Sequence, residues 1–296
     1  MANEFAERVA AITADRSHGS AEIARLCLAL LAVAAERAHA RDATELQTCL
    51  QRLAATLIAS RPSMTAVSRL VSLWLDRCAH PPLPELHDQR EAASRAARAL
   101  IEESRAATRG AARLAATRLE TCRTLLTYSY SSTVREVIDL LPAEVHVMFS
   151  EGRPLNEGYR LAEALSKSRR KATLVTDAQL GSLLQRADAV LVGADSVLTD
   201  GSLVNKAGTL LIAATAAHFG VPFYVCCESY KLRTADMPEP TLERMSPGEL
   251  GAPEWPGIAI ENVYFDITPP ALISACITEA GPRVFPGYRD ADTARP

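Results

Sequence analysis

No apolar run in this 296-residue chain approaches the roughly 20 residues that a membrane-spanning helix needs. The N-terminal stretch MANEFAERVAAITADRS lacks the apolar core of a signal peptide, which sets the expectation of a cytoplasmic protein. Cysteine is present but unorganised: Cys27, Cys49, Cys78, Cys122, Cys226, Cys227 and Cys276 are odd in number, scattered, and without C-x-x-C spacing. That pattern speaks against a disulfide framework or a zinc site and for reduced thiols; with six dispersed histidines, no metal site and no cofactor are expected. Basic excess is also missing. A net charge of -3 provides no overall field toward nucleic acid or anionic membrane, so neither is expected as a direct partner. No G-x-G-x-x-G follows the first strand-like run, which argues against a dinucleotide.

What is present divides into two grammars. Residues 1 to 120 read as a helical domain, rich in Ala, Arg, Leu and Glu, with apolar residues at helical spacing in AEIARLCLALLAVAAERA. Ser20 is the expected N-cap of that helix. ELQTCLQRLAATLIAS, ending near Pro62, and SMTAVSRLVSLWLDRC form two more helices. HPPLPEL is a connection, because proline removes backbone donors and fixes φ. A long helix follows from about Leu86 to Glu120, its arginines read as a solvated face.

From residue 121 to 296 short β-rich runs alternate with helices. Strands are expected at 124–128, 145–149, 172–176, 189–193 and 223–227, and helices near 132–141, 156–168, 178–186 and 205–219. Buried strands alternating with helices imply a doubly wound parallel sheet, so the fold class is α/β with an N-terminal helical domain. In such a sheet ligands sit beyond the carboxyl ends of the strands, and the informative motifs fall at those ends.

After the first strand, each of the six residues Tyr128, Ser129, Tyr130, Ser131, Ser132 and Thr133 carries a hydroxyl. They open a helix whose free N–H groups favour an anion; the segment is either a phosphate cradle, with Ser131 and Ser132 as ligands, or an ordinary helix cap. After the second strand, Arg153 either clamps a phosphate with its planar fork or pairs with Glu151 or a backbone carbonyl. Asp177 is read as the cap of the 178–186 helix. The richest stretch is GADSVLTDGSLVNKAGT, residues 193–209. There Asp195 leaves a buried strand, where desolvation would raise its pKa toward a useful proton-transfer range. Asn205 and Lys206 are read as the start of a helix, holding a phosphate or sugar hydroxyls. Gly193 and Gly201 permit close backbone approach. These groups suit a sugar phosphate.

This stretch, followed by Leu210 to Ala213 and then by residues 222–232, resembles the signature of the superfamily that unites the alpha, beta and delta subunits of translation initiation factor 2B with two sugar-phosphate isomerases. The isomerases act on ribose 1,5-bisphosphate and on methylthioribose 1-phosphate. The segments 19–25, 60–62, 265–270 and 277–281 extend the resemblance over nearly the whole chain. It implies a helical domain, a Rossmann-like domain with a ligand crevice, and a homodimer or a hexamer of dimers joined through the latter. It also implies roles for Gly19 and Arg61 in substrate binding and for Asp195 in catalysis. The catalytic Cys of the isomerases falls on Ser129, whose hydroxyl ionises far above neutral pH. His18-Gly19 stands where the bisphosphate isomerase has Arg-Gly. The resemblance therefore implies a factor-like protein that binds a phosphorylated sugar or a nucleoside monophosphate, regulatory and without classical isomerase chemistry, with a protein partner in translation. The alternatives are a ribose 1,5-bisphosphate or related aldose 1-phosphate isomerase, and a scaffold with a relic pocket.

Overall fold

A computed structural model describes residues 5–78 and 82–289; His80 and Pro81, the start of the expected HPPLPEL connection, lie outside the described residues. The chain splits into two compact units, residues 1–106 and 107–296.

The first unit is helical: α1 (Ala6–Ala14), α2 (Ser20–Arg37), α3 (Ala43–Ala59), α4 (Thr65–Arg77) and the first part of α5 (Leu86–Arg118). Leu28, Leu31, Leu46, Leu57, Leu70 and Trp74 are fully buried, and the Trp74 indole N–H donates to the Ala93 carbonyl at 2.9 Å. That bond satisfies the one polar group of an otherwise apolar side chain. The cap of α2 differs from expectation. Gly19 is the N-cap and Ser20 is the first, buried helical residue. The orphan N–H of Gly19 is taken by the Glu22 carboxylate at 3.1 Å, so no hydroxyl is needed there.

The second unit is built on seven strands in the order β10-β9-β7-β4-β1-β2-β3. Their ranges are β1 Thr124–Leu126, β2 His146–Ser150, β3 Ala172–Val175, β4 Ala189–Val192, β7 Phe223–Cys226, β9 Ala275–Thr278 and β10 Gly281–Arg283. All neighbours are parallel except β10, an antiparallel edge whose Pro282 suits an edge position. Successive strand residues feed opposite faces. Leu126, Met148, Val190, Val192 and Phe223 pack with Ile212, Ala213 and Ala216 of α9 (Thr209–His218). Leu125, Val147, Phe149 and Leu191 pack with α6 (Ser132–Leu140), α7 (Gly158–Lys167) and the end of α5. The sheet is therefore covered on both sides, as the unbroken apolar strands require.

Two expectations are corrected. The 178–186 helix is broken into a 3-10 turn at Asp177–Gln179, the single turn α8 (Leu180–Leu183) and a second 3-10 turn at Leu184–Arg186; Gly181 lies in the middle, where glycine disfavours a helix. More important for the site, Asn205 and Lys206 do not open a helix. They end β6 (Leu203–Lys206), the middle strand of a second, antiparallel sheet with β5 (Ser196–Val197) and β8 (Phe265–Thr268). Helix α9 begins only after Gly208, whose φ of 108° turns the chain out of the strand.

Candidate functional site

The order of strands reverses between β1 and β4: β2 and β3 lie on one side of β1, and β4, β7 and β9 on the other. A crevice beyond the carboxyl ends of strands belongs at such a point. Gly193 follows β4, and a Cβ there would stand 2.6 Å from the Ser131 hydroxyl oxygen. Only glycine lets the end of β4 approach the entrance of α6 this closely. Ser131 caps α6, its hydroxyl oxygen accepting from the Val134 N–H at 3.3 Å, and Ser132 is the first helical residue.

Ser129 holds a left-handed φ of 59°, unusual for a residue with a side chain and a form of local strain that recurs at functional sites. Its hydroxyl donates to the Glu157 carboxylate, just before α7. The other oxygen of Glu157 lies 3.1 Å from the Lys206 ammonium. Lys206 is only 5% exposed, and its Nζ also sits 4.2 Å from the centre of the Tyr264 ring, a favourable place for a cation. Thus the ends of β1 and β6 meet through one carboxylate. Next to Glu157, Asn156 (φ 55°) buries its carboxamide oxygen without a hydrogen-bond partner.

Asp195 is half-buried, and its N–H donates at 3.0 Å to the carbonyl of Val204, the residue paired with Ser196, so it stands at the edge of the β5–β6 ladder. The Asn205 amide donates to the Thr209 hydroxyl at 3.0 Å, which itself donates to the Lys206 carbonyl at 2.6 Å. The entry to α9 is fixed from the far side by Asp266, which accepts from the N–H groups of Gly208 and Leu210 at 2.6 and 3.1 Å; burial nevertheless raises its pKa. Tyr128 is buried, donates to the Ala207 carbonyl at 2.6 Å, and is pushed well above the ordinary phenol value, chiefly by burial and then by Asp177, Glu157 and Asp266.

Behind α6 lies a second charged pair. Glu228 and Lys231, 1% and 3% exposed, approach to 3.3 Å. The other oxygen of Glu228 accepts from the hydroxyls of Thr108 at 2.6 Å and Thr133 at 2.9 Å. Burial alone pushes the Glu228 carboxyl up, but Lys231 and these hydroxyls outweigh it and hold it below the usual carboxylate range. Burial likewise pulls Lys231 down, and Glu228, Cys227 and Asp195 more than reverse it.

The remaining expected residues are placed as follows. Arg153 donates to the Leu250 carbonyl at 2.8 Å, the backbone alternative of its two readings. Asp177 does not cap a following helix; its carboxylate accepts from the Ser150 hydroxyl at 2.5 Å and from the N–H groups of Gly152 and Arg153, because those loop donors lie unsatisfied at the end of the adjacent strand. Gly201 has a φ of 91° in the turn between β5 and β6. Gly19 and Arg61 belong to the helical unit. There the Arg61 guanidinium donates to the carbonyls of Ile12 and Asp15. Missed entirely were Glu157 and the roles of Glu228, Lys231 and Asp266. A charged residue directly after the apolar run of β7 was a signal for Glu228, of the same kind that marked Asp195.

A family model described as the initiation factor 2 subunit family matches residues 16–283. A translation initiation factor eIF-2B subunit 2-like protein of Pyrococcus furiosus is 32% identical, over 81% of this chain and 83% of the relative. The ribose 1,5-bisphosphate isomerase of Methanocaldococcus jannaschii is also 32% identical, over 76% of this chain and 73% of that protein. Among solved structures, the translation initiation factor eIF-2B of Pyrococcus horikoshii superposes with a TM-score of 0.81 at 26% identity, covering 97% and 98% of the two chains.

Proposed function

The chain belongs to the initiation factor 2 subunit family, and on that premise we propose that its crevice binds a phosphorylated sugar and that the protein acts as a factor-like, ligand-responsive member. The observation that carries this reading is the buried Lys206 ammonium, brought by β6 to the ends of the parallel strands together with the Ser129 and Glu157 groups. A buried cation beside hydroxyl and carboxylate groups is suited to an ester phosphate and its sugar. The relatives support both halves of the reading, since one carries the name of a factor subunit and another that of a sugar-phosphate isomerase.

The test is thermal unfolding of the full chain with pentose phosphates and nucleoside monophosphates. A ligand at about 100 times its dissociation constant should add about 2.7 kcal/mol of stability. Lys206→Ala should remove most of that gain. A panel that leaves the wild-type melting temperature unmoved refutes the reading.

A second reading, an aldose 1-phosphate isomerase, is favoured by one observation: Asp195 follows β4 by three residues, beyond the carboxyl end of a strand at the reversal in strand order. Our reading expects no turnover of ribose 1,5-bisphosphate or methylthioribose 1-phosphate, and ligand binding that survives Asp195→Asn. Turnover that falls by about 10²–10⁴-fold in Asp195→Asn, the usual size of a general acid–base contribution, would establish the second reading instead.

A further inference from the structure

We propose that a groove on the α5 side of the parallel sheet binds an amphipathic carboxylate, that is, an apolar body carrying one anionic head. The proposal is independent of the crevice. The groove opens at Tyr224 and Ala275, near the amino ends of β7 and β9, whereas the crevice lies beyond the carboxyl ends of the strands.

Strand alternation makes the floor. On β9, Cys276 packs on the α9 side of the sheet, while Ala275 and Ile277 face the α5 side. Tyr224 pairs with Ala275, and Ile277 pairs with Pro282 of β10. A small side chain thus sits between larger ones, and its missing volume gives the floor its depth. Leu114 and Arg118 of α5 form one wall; Val284, Tyr288 and Arg289, after β10, form the other. The cavity measures about 530 Å³, within the range of roughly 300–1,000 Å³ that small-molecule sites occupy. Its rim keeps apolar surface in water, with Leu114 39% and Val284 70% exposed.

Charge decides what fills it. Arg118 and Arg289 are the charged residues of the lining, and no carboxylate among the described residues lines the groove with them. The Arg118 guanidinium lies 5.4 Å from the centre of the Tyr224 ring, a contact that consumes none of its five N–H donors. A carboxylate matches that planar fork with two parallel hydrogen bonds, and an attached hydrocarbon would lie on the floor. A second copy of the chain suits the groove less well. A two-fold interface sets a patch against itself, which here would gather four guanidinium groups with no carboxylate of the groove to offset them.

The experiment is calorimetric titration of the full chain with octanoate, octan-1-ol and acetate. Wild type should take up octanoate at one site per chain, about 10–100-fold more tightly than octanol, the size of a hydrogen bond to a charged group. Acetate, without the apolar body, should bind at least about 100-fold more weakly than octanoate. The double variant Arg118→Gln with Arg289→Gln should lose the preference over octanol, and Lys206→Ala should bind octanoate as wild type does. Equal binding of octanol and octanoate by wild type, an undiminished preference in the double variant, or many weak sites each overturns the proposal. Loss of octanoate binding in Lys206→Ala overturns it too, by placing the acid in the crevice. Absence of octanoate binding is equally fatal; if Leu114→Glu then dissociates an oligomer seen by light scattering, the occupant is a second copy. Should the double variant fail to fold, the wild-type ranking of the three ligands and the Lys206→Ala titration decide.

Discussion

Lys231→Met is expected to destabilise the protein by about 3–5 kcal/mol near neutral pH, the cost of removing one partner from a buried ion pair. Met has nearly the length of Lys and fills the space, so the loss isolates the charge. Glu228 would then remain as a desolvated carboxylate with the Thr108 and Thr133 hydroxyls and its own backbone N–H to hold it. The pH dependence carries the sign of the effect. In wild type the folded Glu228 carboxyl lies below its ordinary value, so its contribution is present above that value and is lost as the pH falls toward the folded one. In Lys231→Met the balance of causes reverses, because burial now dominates and raises the carboxyl. A raised carboxylate penalises the fold most where it must ionise. The deficit of the variant should therefore be largest near pH 7 and shrink as the pH approaches the ordinary glutamate value of about 4.3. Urea titrations at the two pH values measure this directly. The pair Glu228→Gln with Lys231→Met should recover much of the loss, since neutral groups of similar volume are often tolerated where an unpaired charge is not. A single-variant deficit below about 1 kcal/mol, or one that grows on acidification, would show that the pair does not hold this part of the fold.

Gly158→Ala should be nearly as damaging, for a steric reason. A Cβ at this position would stand 1.9 Å from the Ser150 carbonyl oxygen and 2.9 Å from its carbon. The obstacle is backbone at the end of β2, and it cannot rotate away. The Gly158 N–H also donates to the Glu151 carbonyl at 2.8 Å, so the start of α7 cannot retreat without losing that bond. Overpacking of a well-filled site costs about 1–3 kcal/mol or more, and this contact belongs at or above the top of that range. The displacement would fall on Glu157, the preceding residue, so any surviving protein should bind sugar phosphate poorly. Gly248→Ala is the control: its nearest neighbour is the Ser246 hydroxyl oxygen at 3.4 Å, and a change within about 0.5 kcal/mol is expected there. Comparable melting temperatures for the two variants would refute the argument.

The parts of the fold that were legible are those written in local pattern. The apolar runs of β1, β2, β3, β4 and β7 lie within a residue or two of their expected ends, and α2, α6 and α7 match their periodic stretches. What local pattern cannot carry is pairing at a distance. Strand β6 exists because Leu203 to Lys206 find Phe265 to Thr268, some sixty residues later, and β5 is only two residues long. Read alone, Asn-Lys before an apolar helical run looks like a helix entrance, and only the positive φ of Gly208 separates the two elements. The site shows the same division. Asp195, Ser129 and Lys206 announced themselves by following strands or by type, whereas Glu157 is a carboxylate in a turn before a helix, indistinguishable in the chain from a solvated one. It meets Ser129 across 28 positions and Lys206 across 49, and no short window spans either gap.

That Asn205 and Lys206 occupy a strand makes the crevice depend on parity. Consecutive strand residues leave the backbone on opposite sides, and here the two serve different partners, Asn205 reaching Thr209 and Lys206 reaching Glu157. Which of them serves which is settled by the register of β6, held by the pairing of Leu203–Lys206 with Phe265–Thr268 and of Ser196 with Val204. A slip of β6 by a single residue against those partners would exchange the amide and the ammonium, leaving composition and charge untouched while removing the cation from its carboxylate. The chemistry of the crevice is in this sense counted along the chain as well as spelled by it.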